Sequence, residues 1–175
     1  MDFFKYLELL GLLLILFFII EGGLWFIKNR NSKKKLIKIK YHTDNIELSN
    51  IPQGDWQDLK ASIDIDISRF ESAKIPLGVS IQVPSGYEAH VSPRSSTYEK
   101  WGIIQTNSVG VIDEKYCGNN DIWAFPALAM RDTKIRKGDR ICQFRIISKQ
   151  PKLLYEVVED MKNENRGGFG STGTR

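Results

Sequence analysis

One short segment combines an acidic and an aromatic side chain between two glycines. From Gly110 to Gly118 the carboxylate of Asp113 and the ring of Tyr116 are three residues apart. The residues before Asp113 are apolar and typical of the end of a strand, and the glycines permit tight turns. Asp113 therefore lies where a strand opens into a turn. For a lone Asp the simplest interpretation is a turn former that bonds its own backbone, so a chemical role depends on the rest of the chain.

Three other segments add groups that suit phosphate or a metal ion. Ser92-Pro-Arg-Ser-Ser96 offers a guanidinium and two hydroxyls, which are good donors to phosphate oxygens. Ala61 to Asp64 supplies a carboxylate, and Gly138 to Gln143 supplies an acid, a base and an amide. Each segment also has a structural interpretation, as a surface ion pair, a turn or a solvated carboxylate.

The carboxy-terminal residues 162–175 are polar and rich in glycine. With no apolar periodicity to hold them to a core, we expect a flexible tail, and a frayed terminus is the simple interpretation. Phe169, embedded among glycines, favours a second interpretation. Backbone N–H groups in such a segment can cradle an anion, and the ring can stack on a flat group.

The elements that must position these groups are short strands. Apolar and polar residues alternate in four segments, which indicates half-buried strands: Leu36–Tyr41, Ile63–Ile67, Val79–Val83 and Ile141–Ile146. After residue 35 we find no convincing helical period, apart from one helical turn near residues 98–101. The sequence predicts an all-β sandwich or jelly roll over residues 36–161.

Composition excludes several classes of function. The whole chain of 175 residues has a net charge of +4, but the first 40 residues hold eight Lys/Arg and three Asp/Glu, so the remainder has a net charge of −1. We therefore expect no nucleic-acid binding by the body of the protein. Two cysteines and two histidines are too few for a metal knuckle or a histidine-rich metal site. Spacing alone leaves a disulfide open, although free thiols are simpler.

The amino-terminal part, residues 1–35, has a different character. Leu9 to Ile27 are apolar except for Glu21 and three glycines, and these 19 residues would span about 28 Å as a helix, close to the thickness of a bilayer. We predict one membrane-spanning helix. A signal peptide or a buried helix is the alternative, but the residues before the apolar run form a poor positive region and no A-x-A-like cleavage site follows.

The charges that follow the apolar run predict its orientation. Five Lys/Arg residues lie between residues 28 and 35. Because positive residues favour the cytoplasmic side, we expect an outside amino terminus and a carboxy-terminal domain in the cytoplasm of a single-pass membrane protein.

Taken in order, the five segments resemble the motifs of the trimeric dUTP diphosphatase (dUTPase) family. The resemblance runs from about Leu59 to Gly173, takes in Ile75 to Tyr87 between the first two motifs, and is similar to bacterial and prophage members. It implies a jelly-roll (β-clip) homotrimer with shared active sites that converts dUTP and water to dUMP and pyrophosphate with Mg²⁺. Such an activity limits uracil in DNA and supplies dUMP for dTMP synthesis.

The resemblance also implies roles for individual residues. Asp113 would activate the water that attacks the α-phosphorus, and Tyr116 would exclude a ribose 2′-hydroxyl. Asp64 would position Mg²⁺ through water. The uracil edge would be read, in a tight hairpin, by Asn107 and the backbone of Gly110, Val111 and Ile112. The phosphates would be held by Arg94, Ser95, Ser96, Gln143 and Arg166. The closing tail would place Phe169 over the base, together with Gly170 and Ser171.

Four positions depart from the commonest family pattern. Ser62-Ile63 replaces the usual Gly-Tyr or Gly-Ala, Ser96 replaces a frequent Gly and Cys117 a frequent Arg, and none of these changes removes an assigned group. In the last motif Glu164 stands at the usual arginine position, and Arg166 directly precedes the glycines. Arg166 would have to take over the phosphate contact.

Two other functions remain open on the sequence. A dCTP deaminase shares the fold, but its relatives carry Glu in the third motif, where this chain has Asp113 and Tyr116. A membrane-tethered regulatory module, which binds dUTP and signals to a protein partner, is the alternative from another class. The membrane helix motivates it, because hydrolysis of a soluble metabolite does not require an anchor.

Overall fold

The computed structural model describes residues 11–20, 35–48 and 54–168. Residues 11–20 are helical (α1), and their apolar side chains are almost all exposed. Within the described ranges no helix is both long and apolar enough to cross a membrane. The predicted span covers residues 9–27, of which residues 9, 10 and 21–27 lie outside the described ranges. The membrane helix therefore stays a prediction.

The rest of the described chain is mostly β, as the alternating pattern predicted. The elements are β1 Lys38–Tyr41, β2 Gln57–Lys60, β3 Ile65–Ile67, β4 Ser72–Pro76, β5 Val79–Gln82, β6 Tyr87–Pro93, α2 Thr97–Trp101, β7 Ile103–Gln105, β8 Gly110–Ile112, β9 Ala124–Ala129, β10 Thr133–Ile135 and β11 Arg140–Ser148. Strands occur in all four segments where alternation predicted them, and α2 forms at the expected helical turn.

Two larger sheets contain the strands that carry the candidate site. One has the order β2-β11-β6-β8 and the other β4-β9-β7, while β1 pairs with β5 and β10 with β3. All these pairs are antiparallel. Most partners are distant in sequence, so side chains far apart in the chain become neighbours across a ladder.

One apolar core joins the two larger sheets. It includes Leu59, Val91 and Phe144 from the four-stranded sheet and Ile75 and Phe125 from the three-stranded sheet. Trp123, which precedes β9, packs edge-to-face on Phe144 with ring centroids 5.3 Å apart. Such a pair stabilises by about 0.5–1.5 kcal/mol beyond the area that it buries. The core thereby fixes the start of β9, which borders the pocket described below.

One predicted half-buried strand is more deeply buried than alternation indicated. In β5, Ser80 is buried along with the apolar residues on either side. It lies opposite Lys40 of β1, and its Oγ lies 2.8 Å from Nε2 of His42. The polar residue is tolerated inside because its hydroxyl has a partner.

Both cysteines are free thiols, in agreement with the simpler interpretation of their spacing. Cys117 is partly exposed and Cys142 is buried. Burial raises the pKa of the Cys142 thiol, and the nearby carboxylate of Asp58 raises it further. Cys142 therefore behaves as a small apolar residue of the core.

Candidate functional site

A pocket of about 490 Å³ opens beside β8. Its lining joins the residues after β7, strand β8 and the start of β9, and comprises Lys74, Val91, Asn107, Gly110, Val111, Ile112, Asp113, Tyr116, Ile122, Trp123, Ala124 and Pro126. We call it the Asp113 pocket. It brings together Asn107, Gly110, Val111, Ile112 and Tyr116, which the resemblance assigned to the uracil edge and the sugar, with the carboxylate of Asp113 on an otherwise largely apolar wall.

Asp113 occupies the turn that follows β8. Its backbone C=O accepts the N–H of Tyr116 at 3.0 Å, and its Oδ1 accepts the N–H of Lys115 at 2.8 Å. The interpretation of Asp113 as a turn former is therefore confirmed. The carboxylate remains exposed to the pocket, so one side chain both shapes the turn and faces the cavity.

Two donors hold Asp113 in its ionised form. The N–H of Lys115 lowers the pKa of Asp113 most. Desolvation opposes this effect, and the ammonium of Lys149, 3.4 Å from Oδ2, lowers the pKa further. Donors to the charged form favour ionisation. Asp113 is thus a carboxylate at neutral pH, available to accept a proton.

A brace connects this turn to the end of β11. The Nζ of Lys149 lies 3.5 Å from Oε1 of Glu114, and Oε2 of Glu114 accepts the N–H of Gly86 at 2.7 Å. The C=O of Gly86 in turn accepts the N–H of Lys149 at 3.0 Å. This closed set of bonds fixes Lys149 beside Asp113.

Backbone geometry shapes the floor of the pocket. A Cβ added at Gly110 would lie 3.3 Å from Cβ of Val91 and 3.4 Å from Nε2 of Gln105, which leaves little room for any other residue. The same Nε2 donates to Oδ1 of Asn107 at 2.8 Å. Tyr116 is 43% exposed, and its OH lies 3.4 Å from the C=O of Ile122.

The expectation of a hairpin starting at Gly110 is wrong. Strand β8 pairs with β6, whereas the chain that follows the Asp113 turn leads to β9, which pairs with β4 and β7. The segment is a strand followed by a turn, because its two ends belong to different sheets.

A second group of side chains, the arginine cluster, lies where β2, β6 and β11 meet. Nε of Arg94 donates to Oδ1 of Asp58 at 2.8 Å, and NH1 of Arg140 donates to Oδ2 of Asp58 at 3.2 Å. Nε2 of Gln143 donates to the C=O of Pro93 at 3.2 Å. Two guanidiniums around one carboxylate leave a net positive charge, which suits an anion.

Thr97 fixes the turn that carries the serines of this cluster. Its buried Oγ1 accepts the N–H of Arg94 and donates to the C=O of Ile141, both at 2.8 Å, and its N–H donates to the C=O of Arg94 at 3.0 Å. Ser95, which is exposed, and Ser96, which is half-buried, therefore lie at the start of α2 beside Arg94.

Asp64 lies near the same end of the fold. The N–H of Ala61 donates to the C=O of Asp139 at 2.9 Å, and the N–H of Gly138 donates to the C=O of Ala61 at 2.8 Å. Oδ1 of Asp64 accepts the N–H of Lys137 at 2.8 Å, and the side chain is exposed. In residues 11–20, 35–48 and 54–168 no group of three His, Cys, Asp or Glu residues is placed to hold a metal ion unaided.

The Asp113 pocket and the arginine cluster lie toward opposite ends of β6. Ile112 pairs with Ala89, so Asp113 follows opposite Glu88, whereas Arg94 directly follows the other end of the strand. Six residues of strand at about 3.3 Å each separate Glu88 from Arg94 by about 20 Å. Within one chain the base candidate and the phosphate donors are therefore not brought together.

The tail residues are only partly described. Arg166 is exposed in an irregular segment that reaches residue 168. The predictions for Phe169, Gly170 and Ser171 lie outside the described residues.

Sequence reasoning missed three residues that organise the site: Asp58, Thr97 and Lys149. Asp58 lies in a strand between a glutamine and a leucine, and nothing in that pattern indicates that it pairs with Arg94 and Arg140. Lys149 directly follows β11 and belongs to no local motif. A charged residue within a strand is the one signal that marks Asp58 as unusual.

These features define an antiparallel β protein with separate places for a flat ring and for an anion. A family model described as dUTPase matches residues 57–173. The chain belongs to the dUTPase family, as its five segments indicated.

Curated relatives agree with this assignment. The SPbeta prophage-derived deoxyuridine 5'-triphosphate nucleotidohydrolase YosS of Bacillus subtilis (strain 168) is 56% identical over 140 residues, which cover 79% of this chain and 99% of the relative. The deoxyuridine 5'-triphosphate nucleotidohydrolase of Finegoldia magna is 40% identical over 112 residues, covering 63% of this chain and 77% of the relative. The predicted similarity to bacterial and prophage members is confirmed.

Solved structures show the same fold. The dUTPase of Staphylococcus bacteriophage 80alpha with dUPNHPP matches with a TM-score of 0.68 at 20% identity, covering 80% of this chain and 99% of that one. The dUTPase of Streptococcus mutans matches with a TM-score of 0.59 at 24% identity, covering 70% and 100%.

The contacts of Asp113 predict how its titration responds to Lys149. In Lys149→Met we expect the pKa of Asp113 to rise toward its ordinary value, because the ammonium that favours the charged form is lost. The rise is partial, since the N–H of Lys115 remains. Carboxyl ¹³C NMR titration of the full-length protein measures it. Lys134→Met, which removes a cation 3.7 Å from Asp66 instead, is the control. An equal pKa of Asp113 in all three proteins would contradict the prediction.

Proposed function

We propose that the protein is a dUTP diphosphatase that hydrolyses dUTP to dUMP and pyrophosphate. The observation that carries the proposal is Asp113, held ionised at the mouth of a ring-sized pocket in a chain of the dUTPase family. Asp113 accepts a proton from water, the water oxygen forms a bond to the α-phosphorus, and the bond from that phosphorus to the oxygen bridging the β-phosphate breaks. The pair of electrons leaves with pyrophosphate.

The Asp113 pocket would take the nucleoside. Tyr116 would lie against the deoxyribose and leave no space for a 2′-hydroxyl. Asn107 and the backbone of Gly110, Val111 and Ile112 would meet the uracil edge. Support comes from the shared lining of one cavity and from the tight packing around Gly110, which gives the backbone a fixed position.

The arginine cluster would take the phosphates. Arg94, Ser95, Ser96 and Gln143 would donate to their oxygens, since positioning and neutralisation of charge supply most of the catalysis in phosphoryl transfer. Phe169, Gly170 and Ser171 would close over the substrate, and Arg166 would reach the terminal phosphate.

The residues present fit a magnesium ion that is mostly bound by substrate. Mg²⁺ keeps several waters and takes phosphate oxygens, so it needs few protein ligands. A single exposed carboxylate, Asp64, matches that demand through water. When bound, the ion would neutralise charge on the triphosphate.

We further propose that active sites are shared in a homotrimer. Two observations support sharing. The Asp113 pocket and the arginine cluster of one chain are about 20 Å apart along β6. After β11, residues 151–161 are exposed, and their large apolar side chains are exposed with them, Val157 to 99%, as expected of a segment that packs on another subunit.

The first test is hydrolysis of dUTP. The full-length protein with Mg²⁺ should release pyrophosphate from dUTP and much less from UTP or dTTP. Asp113→Asn should lower kcat by about 100-fold or more, because a positioned base contributes a factor of this order. Coupled pyrophosphate detection measures both.

A matched control for this variant is Asp121→Asn, which removes a carboxylate that accepts the N–H of Gly118 in the neighbouring turn. It should leave kcat nearly unchanged. Equal pyrophosphate release by Asp113→Asn and the unmodified protein would sink the proposal, and ammonia release from dCTP would favour the deaminase instead.

Sharing of sites predicts complementation between two inactive variants. Asp113→Asn lacks the base and Arg94→Leu lacks a phosphate donor, so each homotrimer should be nearly inactive. When both are co-expressed in equal amounts and trimers form at random, about one quarter of the sites combine Asp113 from an Arg94→Leu subunit with Arg94 from an Asp113→Asn subunit. Recovered activity measured on doubly tagged assemblies supports sharing; activity no higher than the parents contradicts it.

We also propose that residues 9–27 anchor the protein to a membrane with its catalytic domain in the cytoplasm. The apolar composition and the exposed apolar face of α1 support this. The full chain should stay in the membrane fraction after a carbonate wash, while Leu14→Lys combined with Leu16→Lys should shift it to the supernatant, because charge in a bilayer is costly. Recovery of the unmodified chain in the supernatant, or proteolysis of residue 175 from outside intact cells, would refute it.

A further inference from the structure

Asp58 is the one carboxylate that is buried in the part of the chain that the structure describes. It is 4% exposed and lies in β2. Burial of a charge is costly unless partners satisfy it. Its two oxygens accept from two different guanidiniums, Oδ1 from Arg94 and Oδ2 from Arg140. A carboxylate is stable at a buried position only where partners satisfy its charge and its hydrogen bonds.

The sheet register explains why Asp58 meets these partners. Asp58 lies opposite Gln143 on β11, and Gln143 lies opposite Ser92 on β6. The bulge between Arg140 and Cys142 interrupts the β2-β11 ladder one step away. Asp58 is therefore in the same cross-strand row as Gln143, one of the predicted phosphate donors.

The contacts of Arg94 leave its outer N–H groups available. Its Nε is occupied by Asp58, and its NH1 lies 3.2 Å from the C=O of Arg140. The guanidinium is thus held at two of its three nitrogens, Nε and Nη1. Since the group is planar and rigid, these two bonds determine the direction in which the N–H groups of Nη2 point.

We propose that Asp58 is a positioning residue of the phosphate site, which orients Arg94 and Arg140 so that their free N–H groups face the same anion. Asp58 itself touches no substrate and acts through the arginines. The role of Arg94 in holding phosphate rests on the proposed function, whereas the orientation by Asp58 does not.

The chain contains a matched control. Asp66 also pairs with two cations, Arg136 at 3.0 Å and Lys134 at 3.7 Å, but it is 57% exposed and lies on β3 outside the arginine cluster. Asp66→Asn therefore removes a similar ionic group with no effect on the phosphate donors.

The decisive experiment compares Asp58→Asn with Asp66→Asn in the full-length protein. For Asp58→Asn we expect KM for dUTP to rise about tenfold or more, since a charge-assisted hydrogen bond to Arg94 is lost, with a smaller change in kcat. Binding of a non-hydrolysable dUTP analogue should weaken by a similar factor, while binding of deoxyuridine, which has no phosphate, should be unchanged. Asp66→Asn should match the unmodified protein in every measurement.

Two outcomes would overturn the proposal. One is unchanged binding of the analogue by Asp58→Asn. The other is equal weakening of the analogue and deoxyuridine, which indicates general damage to the fold instead of lost orientation of the donors.

A triple variant covers the case in which Asp58→Asn alone does not fold. Arg94→Gln and Arg140→Gln together with Asp58→Asn remove the carboxylate and both guanidiniums, so no buried ion is left unpaired. If Asp58 acts through the two arginines, the triple variant should bind the analogue about as well as the Arg94→Gln, Arg140→Gln pair. A further loss in the triple variant would contradict the proposal.

A spectroscopic measurement separates this proposal from the proposed function. In the unmodified protein the Nε–H of Arg94 should give a slowly exchanging ¹⁵N NMR signal, because Asp58 accepts it. The Nε–H of exposed Arg166 should exchange rapidly. An Arg94 signal that exchanges as fast as that of Arg166 refutes positioning by Asp58 even if dUTP is hydrolysed. A protected signal in a protein that does not hydrolyse dUTP refutes the proposed function alone.

Discussion

The antiparallel pairing of β6 with β11 is the constraint on which both candidate half-sites depend. The ladder runs without a break from Cys142 opposite Pro93 to Ser148 opposite Tyr87. One end presents Arg94 and Gln143, and the other end presents Lys149 beside Asp113. A slip of one residue would turn every side chain of the strand to the opposite face, so both half-sites would be lost together.

The two ends of this ladder are electrostatically different. At one end a single buried carboxylate divides its two oxygens between two arginines and leaves excess positive charge. At the other end an exposed carboxylate accepts from a backbone N–H and from Lys149, which keeps it ionised. Separation by about 20 Å prevents the arginines from pairing with Asp113 in the same chain. A substrate that needs both would have to be bound between chains, which is the physical reason for the shared site that we propose.

The sequence predicted the strands best where one face is buried and the other is solvated. Segments around β1, β3, β5 and β11 alternate clearly, and each contains a strand. Alternation gave less for β8, which has only three residues, and the tight hairpin that the family resemblance implied did not form after Gly110. The pairing partner of a strand is decided by contacts with distant segments. In β5 the burial of Ser80 depends on His42, which directly follows β1, and no local pattern reveals this contact.

By itself the sequence determined the family, the mostly β fold, and the residues that can do chemistry, because motif residues and strand periodicity are local properties of the chain. It also marked Asp113 as a turn residue, and the carboxylate does form that turn. Tertiary structure alone decided which groups meet: Asp58 with Arg94 and Arg140, Lys149 with Asp113, and the pocket walls from β8 and β9. These contacts join positions tens of residues apart, and their geometry follows from sheet register and core packing, which are collective properties of the folded chain.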